Sequence, residues 1–561
     1  MVQKVKQIIS LLTNSHPPHT HLGETCLPKR MGNVKSSNVY NAKCVTFRTQ
    51  PTTTSSFPRR QMNFNSFPNE VLCSIFDYLP WKDRQRVSLV CRRWNAIINS
   101  DHYLRGQKLV LYNYNKAKFF SGVEVELLNR QKNIAFYSNA MFDTEELLDT
   151  IGRSFSGGSA MVRSLSLFLR SEHRLARLVV DNIPNLRHLT ELKISANEGL
   201  TNGVLIDSAS LEKLNISFYQ SSVCQLVTPR LHTLHLTVRY PSEMELIGTI
   251  SAQLVELKVS FISKDHVAKL FRCDFRSLKT LNISLKNDKY IAYSVSPVHL
   301  RPLEREAIFA QTIVGLETLR IVDICNIFDI DFLKMFAYAK SLKALTINYF
   351  KLVSEVSELI NGFKGLEYLN LEGCQRMDDS KRLHLPCLQT LVMPYKQLCL
   401  FSATQLDTLT TLYYNNTTKD QTLLIKKIAA TFTNLSFLCL QHFDNELDRN
   451  ALLHLNLLTK LRVLVIENMS VSSSVFENCP TVPQLQRLVM DTIVSEVSML
   501  DMIPARFPSL QTLVISNCFL YLILEDSGKH YTTFDELRRQ MPCCRISTKD
   551  STIFTNTAKQ S

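Results

Sequence analysis

From residue 162 onward the apolar positions recur in one pattern, Leu-x-x-Leu-x-apolar, in which the last position is usually Leu or Ile. In Leu369-Asn370-Leu371 the two leucines share one side of an extended chain and Asn370 takes the other side, as a β-strand requires. The copies follow one another at a mean step of about 25 residues, a period typical of solenoid proteins. The fifteen copies begin at Val162, Leu189, Leu211, Leu231, Leu254, Leu278, Leu316, Leu342, Leu366, Leu388, Leu409, Leu435, Leu461, Leu485 and Leu510.

One such repeat cannot bury its leucines alone, so the pattern predicts stacked copies that share a continuous ladder of apolar side chains. Between the strands, residues 353–362 and 421–431 carry apolar side chains at helical spacing. One longer step contains a polar insertion, residues 287–305. The sequence therefore predicts an α/β solenoid with parallel strands over residues 161–525.

Two apolar stripes at helical spacing precede the repeats. Pro68 suits the first turn of a helix, where its missing N–H would be unpaired anyway, and Pro80 ends the first stripe. The stripes predict a compact helical unit over residues 62–105, which is marginally stable on its own because it is small. We expect a partner or a neighbouring domain to cover its apolar surface. The stripes consist of Val71, Leu72, Ile75, Phe76 and Leu79, and of Val87, Val90, Cys91, Trp94, Ile97 and Ile98.

This helical segment resembles the F-box. The matching stretches are Phe67-Pro68-Asn69-Glu70, Ile75-Phe76, Tyr78-Leu79 and Val90-Cys91-Arg92-Arg93-Trp94. The resemblance implies docking onto the Skp-type adaptor of a cullin–RING ubiquitin ligase and, through it, association with the cullin and RING subunits. The residues that the resemblance places against the adaptor are Pro68, Leu72, Ile75, Phe76, Leu79, Val90 and Trp94.

An alternative is that the inward-facing members of the two stripes only hold the three helices of the unit together. This alternative stays open for Ile75 and Val87. For Pro68 and Trp94 we favour the adaptor interface, because large aromatic side chains and exposed apolar patches on small helical units mark partner surfaces.

The repeats resemble the cysteine-containing leucine-rich repeats that are often coupled to F-boxes. Cys374 and Cys518 stand where their strands turn away, and we interpret them as turn-packing residues and not as reactive thiols. The resemblance implies an α/β chain in which a small three-helix F-box precedes a horseshoe-shaped solenoid with parallel strands on its concave face. Residues 106–160 would then connect the two domains, and residues 526–561 would form a terminal cap and tail.

The residues between the strand leucines differ along the array. Early copies offer charged and polar groups such as Lys193 and Lys258, whereas later copies offer aromatic and aliphatic ones. We therefore expect a protein target to anchor on the later copies, because interface cores favour aromatic residues with a polar surround. Two alternatives are a C-terminal segment that covers this stretch and a simple strand preference for valine. The predicted anchor residues are Tyr368, Tyr413, Phe437, Val465 and Val489.

Charge is distributed unevenly along the chain. The 561 residues include 64 Lys and Arg against 50 Asp and Glu, a net charge of +14, and the segment 1–61 is strongly basic and rich in Ser, Thr, Asn and Pro. We expect this segment to be a disordered tail. Because the rest of the chain is close to balanced, the overall charge does not indicate a nucleic-acid-binding protein, although binding through the tail stays an alternative.

The 15 cysteines form no C-x-x-C pair, which disfavours a disulfide scaffold or a zinc module and favours free thiols in a reducing compartment, the cytoplasm or nucleus. No apolar run is long enough for a transmembrane helix. Phosphate-binding loops, zinc-protease motifs, nucleophile elbows and RING-type Cys/His spacing are missing from the sequence as well. We therefore expect a protein without cofactor or metal that performs no catalysis. Its predicted role is substrate recognition in a ubiquitin ligase; the alternative is a scaffold that acts with the adaptor outside ubiquitin transfer.

Overall fold

A computed structural model divides the chain into two compact units, Met1–Gln107 and Lys108–Ser561. The basic segment 1–61 and the polar insertion 287–305 lie outside the residues that the structure describes. Those residues are 67–79, 81–98, 100, 103, 108–113, 128, 131–138, 145–157, 161–169, 174–196, 204–218, 224–261, 266–285, 309, 311–323, 330–376, 381–401, 406–415, 423–441, 447–522, 533–549 and 551–555.

The first unit contains the three predicted helices: α1 (Asn69–Asp77), α2 (Trp81–Ser88) and α3 (Arg92–Ile98). Pro68 precedes α1 at the N-cap position, where the absence of an amide hydrogen costs nothing. The apolar stripes of the helices meet in one core, in which the Phe76 and Trp94 rings pack edge to face at 5.4 Å. The core consists of Leu72, Phe76, Leu79, Val87, Trp94, Ile97, Ile98 and Tyr103.

The second unit is a solenoid built around one long parallel sheet, as predicted. Its strands pair in the order in which the repeats follow along the chain. They are β1 (Leu109–Asn113), β2 (Asn133–Ser138), β3 (Ser164–Leu169), β4 (Glu191–Ala196), β6 (Lys213–Phe218), β8 (Thr233–Val238), β9 (Glu256–Phe261), β10 (Thr280–Leu285), β11 (Thr318–Asp323), β12 (Ala344–Asn348), β14 (Tyr368–Asn370), β16 (Thr390–Pro394), β17 (Thr411–Asn415), β18 (Phe437–Gln441), β19 (Val463–Val471), β20 (Arg487–Glu496), β21 (Thr512–Ser516) and β23 (Arg545–Lys549).

Each of the fifteen copies of the leucine pattern produces a strand that begins two residues after the copy starts. Leu366, for example, precedes the strand that begins at Tyr368. The second leucine of each copy occupies the same register position, so that Leu369, Leu391 and Leu412 stand side by side on three successive strands, each fully buried. This ladder is the core of the solenoid.

Helices and short turns lie between the strands and cover the leucine ladder. The residues 353–362 and 421–431, predicted to be helical, contain α9 and α10. The helices given by the described residues of this unit include α4 (Glu145–Ser156), α5 (Arg174–Asn182), α6 (Pro241–Ile250), α7 (Val267–Leu270), α8 (Ile330–Lys334), α9 (Ser354–Asn361), α10 (Leu424–Thr431), α11 (Ser473–Glu477), α12 (Met499–Arg506) and α13 (Phe534–Gln540).

The sheet extends beyond the fifteen copies at both ends. Strands β1 and β2 fall within residues 106–160, interpreted from the sequence as a connecting segment, and β23 falls within the expected cap. These strands lack the leucine pattern: on β23, Ile546 and Thr548 pair with Leu513 and Ile515 of the preceding strand. The fold requires side chains that can be buried at these positions, and leucine is only the commonest of them.

Short secondary strands flank the main sheet. Two pairs stand apart from it: β5 (Val204–Asp207) with β7 (Cys224–Val227), and β13 (Lys351–Leu352) with β15 (Gln375–Arg376). At the C-terminal end, β22 (Phe519–Leu522) and β24 (Thr552–Thr555) extend the second half of β20 in parallel. Each of these short strands follows a point at which the chain leaves the main sheet, and their pairing shows that successive repeats leave it in the same way.

Candidate interaction surfaces

In the helical unit, Arg84 binds the end of α1. Its Nε donates to the carbonyl oxygens of Phe76 and Leu79, both at 2.9 Å, and its Nη2 donates to that of Asp77 at 3.1 Å. The last carbonyls of a helix have no partner inside the helix, and a cation is favourable at this negative end. The guanidinium also lies over the ring of Tyr103, 4.9 Å from its centroid. Arg84 therefore fixes α1 to the rest of the unit.

Arg93 holds the opposite end of the same helix. Its Nη2 donates to the carbonyl of Phe67 at 2.6 Å and to Oδ1 of Asn69 at 2.7 Å. Two arginines, one from α2 and one from α3, thus fix both ends of α1. The surface that α1 presents is consequently rigid relative to the other two helices.

The predicted adaptor-binding residues fall into two groups. Leu72, Phe76, Leu79 and Trp94 are at most 4% exposed and form the unit's own core. This burial agrees with the alternative that these residues only hold the three helices together. Trp94 is among them, although the sequence favoured the adaptor interface for this residue. Indole Nε1 of Trp94 is buried without a hydrogen-bond partner among the described residues.

The remaining three residues predicted to contact the adaptor are accessible. Pro68 and Val90 are exposed and Ile75 is half-buried. Contact with the adaptor is not observed for any of the seven residues, so adaptor binding stays a prediction for all of them.

The sequence placed Val71 in the first apolar stripe and Tyr78 in the F-box match, but it did not indicate which apolar residues of the unit are exposed. Leu89 is 85% exposed and Tyr78, which directly follows α1, is 63% exposed. Val71, two helical turns before Tyr78, is 41% exposed. A small helical unit that leaves large apolar side chains in water is suited to binding another protein. These residues belonged to the predicted helical segment, but only the packed structure separates them from the core.

In the solenoid, the strand residues between the buried leucines define what we call the open face of the sheet. Its central column can be followed from strand to strand through the register. In the first half this column is polar and basic: Lys193, Asn215, His235, Lys258, Asn282 and Arg320 are successive partners. One of these side chains contacts a carboxylate, since Nε2 of His235 lies 3.2 Å from Oε1 of Glu256.

The same column becomes apolar in the second half. Its six successive partners, hereafter the apolar column, are Val392, Tyr413, Cys439, Val465, Val489 and Val514. Asn370 precedes the column and Ser547 follows it. The expected change from polar to apolar character is therefore a continuous stripe across neighbouring strands.

Three of the five predicted anchor residues, Tyr413, Val465 and Val489, belong to the apolar column. Phe437 stands beside it, with its ring 5.2 Å from that of Tyr413. Along the neighbouring column Thr390 and Thr411 separate Tyr368 from Phe437, although the Tyr368 side chain comes near enough to Tyr413 to affect the pKa of its phenol. Register and ring contact thus bring Tyr413, Phe437, Val465 and Val489 together, with Tyr368 at one side, and only Val465 among the five is buried, at 6% exposure.

The environment of Tyr413 is partly desolvated. Burial raises the pKa of its phenol, and Cys439, Glu467 and Tyr368 nearby raise it further. The phenol therefore stays protonated at neutral pH and can donate a hydrogen bond from within the apolar column.

Two carboxylates border the apolar column on its C-terminal side, two residues further along strands β19 and β20. Glu467 and Asp491, hereafter the acidic pair, are direct register partners on adjacent strands. Oε2 of Glu467 accepts from Nε2 of Gln441 at 2.7 Å, and Oδ1 of Asp491 accepts from Ser516 Oγ and Asn517 Nδ2. All these donors are neutral, and no cation of the described residues forms an ion pair with either carboxylate.

The described C-terminal residues do not lie across the apolar column. Strands β23 and β24 instead continue the sheet beyond β21 and β22. Of the two alternatives raised by the sequence, a covering C-terminal segment therefore finds no support in residues 533–549 and 551–555.

Within the described ranges, no group of three or more His, Cys, Asp or Glu side chains is placed to hold a metal ion. The helices among these residues are all too short or too polar to cross a bilayer.

Comparison with known proteins identifies the helical unit. Residues 64–105 match the F-box-like family. The F-box/LRR-repeat protein 21 of Bos taurus is 33% identical over 69 residues, and that of Mus musculus is 32% identical over 69 residues. Each match spans 12% of this chain and 16% of the relative's length.

Solved structures of repeat proteins resemble the chain only in part. An internalin from Listeria monocytogenes aligns with 65% of this chain and 88% of its own, at 14% identity and a TM-score of 0.31. The mouse RP105/MD-1 complex aligns over 77% of each chain, also at 14% identity, with a TM-score of 0.35. The fold assignment rests on the strand register described above. Residues 64–105 therefore belong to the F-box-like family, and the chain joins this unit to a solenoid of leucine-rich repeats.

Proposed function

We propose that the chain is the substrate-recognition subunit of an SCF-type cullin–RING E3 ubiquitin ligase. The observation that carries the proposal is an F-box-like unit that leaves Leu89 and Tyr78 largely exposed to water. Proteins with an F-box and leucine-rich repeats are typically non-catalytic adaptors, which agrees with this role. The exposed apolar residues would bind the Skp-type adaptor, and the solenoid would bind the protein target.

In this division of labour the chain contributes position and not chemistry. A target held on the solenoid raises the local concentration of its lysines near the ubiquitin-charged enzyme, which other subunits recruit. The gain comes from converting an encounter between separate molecules into a reaction within one complex. Its size depends on the geometry of the assembly and needs no reactive group on this chain.

We place this activity in the cytoplasm or nucleus. All twelve cysteines among the described residues are free thiols, and five of them are buried. Free buried cysteines are typical of proteins that fold in a reducing compartment.

The experiment is affinity purification of the tagged full chain from cultured cells, with co-purified Skp-type adaptor and cullin quantified by mass spectrometry. We expect both subunits in the wild-type sample. Leu89→Asp and Tyr78→Asp should each reduce their recovery strongly, because a charge at the centre of an apolar contact must be desolvated. Leu205→Asp, at a residue 50% exposed in the solenoid, is the matched control and should leave recovery unchanged.

Two outcomes would change the conclusion. If the adaptor is captured but cullin is not, the chain is a scaffold that acts with the adaptor outside ubiquitin transfer. If neither is captured, the proposed function is wrong. Trp94→Ala is unsuited to decide the matter, because Trp94 is a core residue and its loss would unfold the unit.

A further inference from the structure

We propose that the apolar column and the acidic pair together bind a target segment in which a lysine or arginine stands next to aliphatic or aromatic side chains. The proposal deepens the proposed function, since it rests on the solenoid being the target-binding unit. It assigns a chemical class to the target segment, which the fold alone does not.

The first argument is the continuity of the apolar column. Six adjacent strands contribute one residue each, and at a strand separation of about 4.8 Å the column extends over roughly 24 Å. This length matches about seven residues of an extended peptide. Val392, Tyr413, Val489 and Val514 are half-buried and accessible from the open face, whereas Cys439 and Val465 in the middle of the column are buried. The column is therefore long enough for a short linear segment of a target.

The second argument is the charge at its border. Glu467 and Asp491 are direct neighbours across two strands, a placement in which like charges repel. Elsewhere in the solenoid the structure pairs carboxylates with cations, as at Glu317, whose Oε1 lies 3.1 Å from Nζ of Lys279. Among the described residues, the acidic pair is held only by neutral donors from Gln441, Ser516 and Asn517. A cationic group from a bound segment would supply the missing compensation.

The third argument is the distance between the two features. Asp491 follows Val489 by two residues on one strand, and Glu467 follows Val465 by two residues on the next. In a strand, residues two apart project from the same face at a spacing of about 6.6 Å. A lysine or arginine side chain reaches across such a gap while its neighbours pack on the column. The two features thus form one binding surface.

The direct test selects ligands without assuming their identity. A displayed library of random peptides of about twelve residues, which exceeds the length of the column, is panned against the immobilised full chain. We expect enriched peptides to contain Lys or Arg within a few residues of at least two large apolar residues. Enrichment of acidic peptides, enrichment without a basic residue, or no enrichment would each overturn the proposal.

Variants then locate the site by fluorescence anisotropy with one enriched peptide. Tyr413→Ser, and the double variant Glu467→Gln with Asp491→Asn, should each weaken binding by about tenfold or more. Glu191→Gln, an exposed carboxylate in the polar half of the open face, should change binding by less than about twofold and serves as the control. Unchanged binding in the acidic-pair variant would overturn the proposal.

The most stringent test exchanges the charges of the acidic pair and of the peptide. In the double variant Glu467→Lys with Asp491→Lys, the peptide whose basic residue is replaced by Glu should bind more tightly than the original peptide. Failure of this reversal would show that the acidic pair does not contact the basic residue. Adaptor capture by the same preparations is measured in parallel, so that loss of the proposed ligase role is read separately from loss of peptide binding.

Discussion

The ring of Tyr349 lies directly beside Gly373, the residue at the equivalent position of the next repeat. A Cβ on Gly373 would stand 3.0 Å from both Cδ1 and Cε1 of that ring. Both residues have left-handed backbone angles, with φ of 68° at Tyr349 and 73° at Gly373. Asn468, Thr492 and Asn517 adopt the same conformation at the corresponding point of later repeats, where the chain leaves the main sheet. The relationship shows that this turn recurs along the solenoid and that its sequence is set by backbone conformation.

Gly373→Ala should therefore destabilise the solenoid. The new methyl group meets the Tyr349 ring, and an L-residue at φ of 73° carries a conformational cost as well. We expect the free energy of unfolding in urea to fall by about 1–3 kcal/mol. Gly248→Ala, within α6, is the matched control because a Cβ there has no heavy atom within 4 Å. It should raise stability by about 0.5–1 kcal/mol, and equal effects of the two substitutions would contradict the account.

Thr492→Asn should stabilise the protein. Thr492 is β-branched and has φ of 53°, a conformation that costs a β-branched residue more than it costs asparagine. The two neighbouring repeats already carry asparagine at this point, Asn468 and Asn517. We expect a gain of about 1 kcal/mol in the free energy of unfolding. The same change at Thr390, inside a strand, should give no gain, because asparagine is disfavoured in strands.

The leucine pattern alone located fifteen strands because each repeat must place the same residues in the ladder. It did not locate β2, where Ile134 and Phe136 occupy the buried positions without the leading leucine. At both ends of the array the physical requirement of burial persists while the residue type changes. A search for the leucine pattern therefore finds the central strands of the solenoid and misses those at its ends.

The apolar stripes of the helical unit predicted its three helices but not which apolar residues face water. Spacing places Leu72 and Val71 on one helix, and only the packing of α3 against α1 decides that Leu72 is buried and Val71 is exposed. Trp94 illustrates the same limit, since its ring completes the core by contacting Phe76. On the open face, by contrast, the apolar column could be predicted from the sequence, because residues at equivalent positions of successive repeats become neighbours on adjacent strands.

Arg84→Ala should loosen α1. The substitution leaves the carbonyls of Phe76, Asp77 and Leu79 without their common donor, and hydrogen bonds to a charged group contribute about 1.5–3 kcal/mol. We expect faster hydrogen exchange of the amides in residues 69–79 and weaker capture of the Skp-type adaptor. Arg86→Ala is the control, since Arg86 forms only an exposed pair with Asp83 at 3.4 Å. Unchanged exchange in Arg84→Ala would show that the helix end needs no such support.

Cysteine labelling should follow burial. In the native protein, a maleimide should modify the exposed Cys387 and Cys543 within minutes and should leave Cys374 and Cys479 unmodified. Burial raises the pKa of both buried thiols to about 12, so neither forms the reactive thiolate at pH 8. Mass spectrometry of peptides after denaturation identifies each modified residue. Rapid native labelling of Cys374 would contradict its assignment as a turn-packing residue.

Alkaline pH should destabilise the solenoid through the same thiols. An unfolded cysteine ionises near its ordinary pKa of 9.0, whereas burial raises the pKa of Cys374 in the folded protein to about 12. Between these two values the folded state holds the proton that the unfolded state has lost, so the free energy of unfolding falls as pH rises. The loss from Cys374 should be about 1.4 kcal/mol between pH 8 and pH 10. Because tyrosines and lysines titrate in the same range, the measurement is the difference between wild type and Cys374→Ala in urea unfolding at pH 8 and pH 10. Cys374→Ala removes the hydrogen bond from Sγ to the Ile347 carbonyl and so starts from lower stability, but it should lose less of that stability on going to pH 10. Equal losses in the two proteins would show that Cys374 does not stay protonated in the folded state.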